Sequence, residues 1–486
     1  LLTFRRLRCL HFQRNIAAFA KTITSRGAFM TAQQTAAAAP IDQHTQANMR
    51  KVALTSLAGT SIEWYDFFLY GTAAALVFPI LFFPADMPPM VALIASFSTF
   101  AVGFLARPLG GIIFGHYGDR VGRKKVLVIA LLMMGVATTL IGLLPTYAFA
   151  GPLAPILLVI LRFVQGLAIG GQWGGAMLLV TETAPATKRG WYGAYAQAGA
   201  PIGVILANLA FLIISYVVSE EAFMSWGWRV PFMASVILIG ISMYVQLHLE
   251  DTPAFKELER LKIERQKAGL APEKEVVTRS PVLEALRLYP KRIMLAAGAF
   301  LSIQVTFYIM IAFVVAYGSS AVGGIGLSRN TMLSAVLIAS AVQIPFQFWA
   351  AHYSDTHGRR GIFMMGALLT GLWAFALFPL IDTGNFVLIT MAIAVGLSFM
   401  GLQYGPQAAF FTELFSTKVR YSGASLGYQI GAIVGGALAP TIAVLLWNEY
   451  GIIYVSAYIM LASLATLWSV WMLTETHGTD IHAEHH

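Results

Sequence analysis

The sequence predicts an all-α integral membrane protein with twelve transmembrane helices in two pseudo-symmetric six-helix bundles. Apolar runs of membrane-crossing length recur along the whole chain, basic residues crowd into alternate loops, and two loop motifs return in the same order six spans later. Composition agrees: 57% of the 486 residues are hydrophobic and 11% charged, with a mean hydropathy of +0.70, whereas a soluble domain is about 25% charged. The only cysteine, Cys9, excludes a disulfide framework or a cysteine metal site.

The first segment, "LLTFRRLRCLHFQRNIAAFAKTITSRGAF", has six basic residues and no acid. Such a start reads as an organellar transit peptide or as an extension ahead of initiation at Met30 or Met49. On either reading residues 1–49 are expected to lie outside the fold, disordered or untranslated. Without those six bases the formal charge falls from +9 to +3, so basicity implies no nucleic-acid partner.

Twelve apolar runs follow, each near the ~20 residues a span requires. They lie near 52–80, 91–115, 126–146, 152–181, 191–218 and 229–249, then 292–318, 329–351, 362–381, 385–413, 421–446 and 452–473. This divides the chain into an N-terminal bundle (50–249), a linker (250–291), a C-terminal bundle (292–475) and a tail (476–486). Mixed charge at helical spacing in the linker predicts a surface helix. The tail, "HGTDIHAEHH", reads as a solvated terminus.

Alternate loops carry Arg50 and Lys51; Arg120, Arg123, Lys124 and Lys125; Lys188 and Arg189; ten bases between Lys256 and Arg292; Arg359 and Arg360; and Lys418 and Arg420. The opposite loops carry Asp86, Glu220, Glu221, Asp382 and Glu449, with Arg229 and Arg329 as the basic exceptions. The positive-inside rule makes the first set cytoplasmic and puts both termini inside.

The loop "GHYGDRVGRKK" (115–125) returns as "AHYSDTHGRRG" (351–361), and "TETAPATKRGWYG" (181–193) returns as "TELFSTKVRYSG" (412–423). Two echoes in one order imply duplicated halves, the architecture of a carrier whose site lies between two bundles. Within the loops, Asp119 with Arg123, Asp355 with Arg359, Glu182 with Arg189 and Glu413 with Arg420 are spaced to pair as a cytoplasmic gate that biases a two-state equilibrium. The alternative is that these loops only orient the chain and anchor it to anionic lipid.

"GHYGDRVGRKK" resembles the signature loop of the major facilitator superfamily. "SIEWYDFFLYG", "ARPLGGIIFGHYGDRVGRKK", "RFVQGLAIGGQWGGAMLLVTETAP", "SWGWRVPF" and "EDTPAF" narrow the resemblance to its metabolite:proton symporter branch, over about residues 50–475. The resemblance implies import of a small polar metabolite, an organic acid or a zwitterion such as betaine or proline. It also implies the proton gradient as energy source, no cofactor, and a functional monomer in a bacterial cytoplasmic membrane. Proton-exchanging export and a carrier-fold sensor are the rival functions; no nucleotide loop, catalytic triad or metal spacing suggests an enzyme.

Ionisable groups at membrane depth are functional candidates. Glu63 and Asp66 lie on span 1, Arg107 on span 2 and Arg162 on span 4, all within reach of the bilayer midplane at ~1.5 Å per residue. Glu63, Asp66 and Tyr70 follow i, i+3, i+7 and share a helical face. Two acids and two arginines sum to zero, so an anion entering with a proton would preserve the balance. Asp66 is expected to carry the proton, tuned by Glu63 or Arg107; the alternative is two static arginine–carboxylate pairs. Arg162 is expected to bind a substrate carboxylate or to modulate the proton site, the latter implied by the family's "RxxQG" context. Where the branch commonly has Glu in "GGEWGGA", this chain has Gln172, which shifts the proton task toward span 1. Asn208, Gln304, Tyr308, Gln343, Gln403 and Tyr404 are further polar candidates for substrate contact, with Tyr70 and Gln172; each is also suited to a plain interhelical hydrogen bond.

Overall fold

A computed structural model describes residues 43–121, 123–170, 177, 180–248, 281–415 and 420–479. It has two compact units, one ending at Lys51 and one from Val52 onward; the second holds the architecture that follows. Among the described residues every regular element is helical.

Twelve helical spans follow the apolar runs: α1 (Gln43–Leu76), α2 (Pro89–Val121), α3 (Arg123–Leu143), α4 (Leu153–Gly170), α5 (Arg189–Val217), α6 (Arg229–His248), α7 (Pro290–Ser319), α8 (Arg329–His357), α9 (Arg359–Ile381), α10 (Phe386–Glu413), α11 (Ser422–Glu449) and α12 (Ile452–Met472). Their ends follow local chemistry. The Ser328 side chain accepts the Thr331 N–H at the start of α8, and Asn385 accepts those of Val387 and Leu388 at the start of α10. Gly358, at φ 97°, makes the tight turn from α8 to α9, a conformation glycine adopts without steric cost. Single π-helical turns at Ile309–Phe313 and Ala432–Ala437 interrupt α7 and α11, a feature that often marks functional positions in helices.

The first helix departs from expectation by starting at Gln43, ahead of residue 52. Within the linker, Pro281–Leu288 is a short helix, and 249–280 lie outside the described residues. At the start of the tail Thr476 and His477 bond to the helix bundle (below), His477 and Gly478 are exposed, and 480–486 lie outside the described residues.

Two seams join the first six spans to the last six: α2 against α11, and α5 against α8 and α10. Replacing each helix by its counterpart six spans away exchanges α2–α11 with α8–α5, so the seams obey the repeat read from the loops. Aromatic contacts between α1 and α7, Phe68–Phe307 at 5.5 Å and Phe67–Tyr308 at 6.3 Å, close the centre.

Candidate functional site

The site begins with an unusually close approach of α2 and α4. A Cβ on Gly166 would lie 2.1 Å from the Gly103 carbonyl oxygen, and one on Gly170 would lie 1.9 Å from that of Arg107. The small residues of "GLAIGG" let the backbones meet, as glycines do between membrane helices, and the contact brings two arginines to the centre of the molecule.

Arg162 is fully buried. Its Nε donates to the Phe100 carbonyl (3.4 Å) and its Nη1 to Gln165 Oε1 (3.0 Å). Its guanidinium lies 4.1 Å from the Phe67 ring centre, 4.3 Å from that of Tyr70 and 4.6 Å from that of Phe100. Arg107 is 1% exposed and lies 4.5 Å from the same Phe67 ring, 4.3 Å from Phe104 and 5.7 Å from Trp64. It neighbours Tyr308 and Tyr428, yet none of its three nitrogens makes a hydrogen bond of ordinary geometry. Cation–π contact offsets part of its desolvation; the missing hydrogen bonds remain a cost.

Asp66 of α1 stands apart from this pair. Asp66, 1% exposed, lies beside Ser235 of α6 and near Glu63, and its Oδ1 has no hydrogen-bond partner. Next to it, the Tyr65 hydroxyl donates to the Pro231 carbonyl at 2.9 Å, which orients this face of α1 toward α6. No ion pair between Asp66 and an arginine forms among the described residues. Tyr70 and Asp66, expected on one face, meet different helices: Tyr70 reaches Arg162 and Thr99 (2.8 Å), whereas Asp66 reaches α6.

A central pocket of about 270 Å³ is lined by Trp64, Ala200, Phe300, Ile303, Gln304, Phe307, Tyr308, Met400, Tyr404 and Tyr428. It is so constricted that it admits about one water. Of the expected polar contacts, Gln304, Tyr308 and Tyr404 line it. Asn208 accepts from Thr72 (3.2 Å), and Gln403 donates toward Thr370 (3.2 Å) and Ser302 (3.4 Å), so both are engaged between helices. Gln343 is buried with neither side-chain polar atom bonded, and Gln172 lies outside the described residues.

At the end carrying the basic loops, charged residues tie the halves together. Arg189 Nη1 meets Glu413 Oε1 at 3.0 Å, and Arg359 Nη2 meets the same oxygen at 3.1 Å. Arg359 also pairs with Asp355 at 2.6 Å. The Asp355 carboxylate accepts from the backbone N–H groups of Gly190 (2.7 Å) and Trp191 (2.8 Å), capping the start of α5 from the other half. The Asp355–Arg359 pair was expected. Arg189 pairs across the interface with Glu413, a partner that spacing within its own loop did not indicate. The side chains of Asp119, Arg123 and Arg420 lie outside the described residues.

The segment after α12 completes this cluster. Thr476 donates to Glu413 Oε2 (2.8 Å), and the His477 ring bonds the Asp355 carbonyl (2.9 Å). Glu475 accepts from the N–H groups of Arg359 (2.8 Å), Arg360 (3.0 Å), Thr476 (3.0 Å) and His477 (3.0 Å). Partial burial alone would raise the Glu475 pKa, but these four donors outweigh it and hold the carboxyl below its ordinary value. At the opposite end, Arg329 clamps Glu220 at 2.9 and 2.8 Å and lies 3.6 Å over the Phe223 ring. Both ends are thus bridged between the halves, and the centre is closed.

The profile of the "Sugar (and other) transporter" family matches residues 51–484. The chain belongs to this family of the major facilitator superfamily. It is 43% identical to the inner membrane metabolite transport protein YhjE of Escherichia coli K12, across 90% of this chain and 96% of that one. Identity is 39% to the shikimate transporter of the same organism (86% and 94% covered). The fold matches the proton:xylose symporter XylE bound to 6-bromo-6-deoxy-D-glucose, with a TM-score of 0.68 at 16% identity, covering 90% of this chain and 98% of that one. The protein is therefore a multi-pass membrane transporter of metabolites, not an enzyme.

In this transporter three parts of the site escaped the sequence reading. Tyr428, buried on α11 beside Arg107, sits in "GYQIGAIVGG"; a large polar residue opening a stripe of small ones was the available signal. Trp64 lies within "SIEWYDFFLYG" itself, where its neighbours' charges drew attention away from it. Glu475 had no comparable signal, because the partners that anchor it to the bundle are backbone N–H groups of Arg359 and Arg360, far away in sequence.

Proposed function

We propose that this transporter imports a small organic acid together with protons by alternating access, across a bacterial cytoplasmic membrane with both termini inside. The observation that carries the proposal is the pair of buried guanidiniums, Arg107 and Arg162, sharing the Phe67 ring near a central pocket whose lining includes no carboxylate among the described residues. Such a site is completed by an anion. Asp66, buried without an arginine partner among the described residues, is the group positioned to exchange a proton, and α1 links it rigidly to Phe67, on which both arginines rest. Ion-paired bridges at both ends around a closed pocket support an occluded intermediate of the cycle. The shikimate and proline/betaine transporters among the relatives handle small polar metabolites, and the basic loops orient the chain.

The test is uptake in proteoliposomes with an acid-outside pH gradient, using radiolabelled shikimate, 2-oxoglutarate, citrate, benzoate and glycine betaine. Inward accumulation of an acid that collapses with a protonophore is the expected result. Gradient-driven extrusion would make the protein an antiporter, and binding without flux a sensor; either outcome defeats the proposal.

A further inference from the structure

Several buried hydroxyls in these spans are spent on the carbonyl four residues back. Thr138 donates to Met134 at 2.8 Å, Thr370 to Gly366 at 2.7 Å and Ser398 to Ala394 at 2.7 Å. Ser235 of α6 is fully buried and makes no such bond. The carbonyl it would use is that of Pro231, to which the Tyr65 hydroxyl of α1 already donates at 2.9 Å. A carbonyl oxygen has two lone pairs. The helix ladder takes one and Tyr65 the other, so the Ser235 hydroxyl is left over.

That hydroxyl faces Asp66, the residue after Tyr65. Asp66 is 1% exposed, and neither its Oδ1 nor Ser235 Oγ makes a hydrogen bond of ordinary geometry in this closed form. A buried polar group left unbonded costs about 1–3 kcal/mol, and a carboxylate that has lost its proton gains most from a nearby donor. Among the described residues, the titratable groups beside Asp66 are Glu63 and Tyr65, both on α1. From α6 it meets only the serine; Arg229, at the start of that helix, is committed to the Gly142 and Leu144 carbonyls at 2.9 and 2.6 Å.

We propose that Ser235 is a positioning residue of the proton site, its hydroxyl kept for the Asp66 carboxylate by the hold of Tyr65 on the Pro231 carbonyl. When Asp66 gives up its proton, the carboxylate accepts from Ser235 Oγ–H, and the serine keeps its own proton. This rests on the reading of Asp66 as the proton carrier and adds the group that steadies its ionised form.

The experiment is a pH titration of the purified full-length protein in an ester-free detergent, followed by difference infrared spectroscopy, which needs no substrate. The carbonyl band of protonated Asp66 is the one that Asp66→Asn removes. Ser235→Ala should move that band and hold its proton about tenfold more tightly, because the ionised carboxylate has lost a donor. Ser235→Cys, similar in size and a weaker donor, should fall between. Tyr65→Phe should reproduce the alanine effect with Ser235 intact, since it frees the Pro231 carbonyl for the serine, and the double variant should add little to either. A role confined to packing would change the unfolding temperature and leave the band and its titration in place. That result, in the alanine variant or in the near-isosteric cysteine one, overturns the inference while the proton reading stands. So does a Tyr65→Phe titration identical to that of the unmodified protein. A spectrum with no band lost in Asp66→Asn overturns the proton reading itself, and this assignment with it.

Discussion

Arg189 Nη1 on α5 lies 3.0 Å from Glu413 Oε1 on α10, which joins the first six spans to the last six through two nearly solvent-free side chains. The same carboxylate also holds Arg359. Glu413→Gln leaves both cations without that charge, and losing one partner of a buried pair costs about 3–5 kcal/mol. The variant should favour the state in which this end is open. With one native cysteine, Cys9, replaced, a cysteine at Ala194, which is buried below the gate, should react with a maleimide about tenfold faster or more when Glu413→Gln is added. An unchanged rate would show that the pair does not hold the gate.

The two arginines should respond differently to truncation. Arg162 loses bonds to Phe100 and Gln165, so Arg162→Gln should lower stability by about 2 kcal/mol or more. Arg107 makes no hydrogen bond of ordinary geometry, only looser contacts with the Tyr308 and Tyr428 hydroxyls, so Arg107→Gln should cost less stability than Arg162→Gln, by about 1 kcal/mol or more, while impairing uptake. Thermal unfolding in detergent reads the first quantity and transport the second; equal destabilisation would contradict the division.

Asp66→Asn keeps the shape and removes the exchangeable proton. Uphill accumulation should vanish while exchange of substrate across the membrane persists. Full pH-driven accumulation by the variant would eliminate Asp66 as the carrier.

Helix packing offers a structural test. Gly166→Ala drives a methyl into the Gly103 carbonyl, whereas a Cβ at Gly240 meets nothing within 4 Å. The first should cost about 1–3 kcal/mol by forcing α2 and α4 apart. The second should be neutral or stabilise α6 by up to about 1 kcal/mol. Comparable unfolding temperatures would refute the close approach.

Glu475 gives the bonded start of the tail a pH dependence. Its carboxyl is held below the ordinary range by four N–H donors, so it binds fewer protons in the folded state than in the unfolded one near that range. The stabilisation is complete above the ordinary glutamate pKa and disappears as pH falls through the lower, folded value. Hydrogen exchange at the Arg359 and Arg360 amides should therefore accelerate in acid, beyond the intrinsic trend, and Glu475→Gln should flatten that response.

The sequence by itself determined the spans, the repeat and the residue types of the site, because each depends on local information. A membrane demands long apolar helices with internally satisfied backbones, so hydropathy and the basic loops carry most of the fold. A charge inside such a run is conspicuous, which is why Asp66, Arg107 and Arg162 were legible. Their neighbours were decided only by the tertiary structure. A rotation of about 100° per residue separates Phe67 from Asp66 on one helix, and packing alone chose α6 for the acid and the two arginines for the ring. Likewise, charge spacing suggested gate pairs within each loop, but the approach of α5 to α10 gave Arg189 to Glu413. Tyr428 and Glu475 acquired their places from helices far away in sequence, where no local pattern reaches.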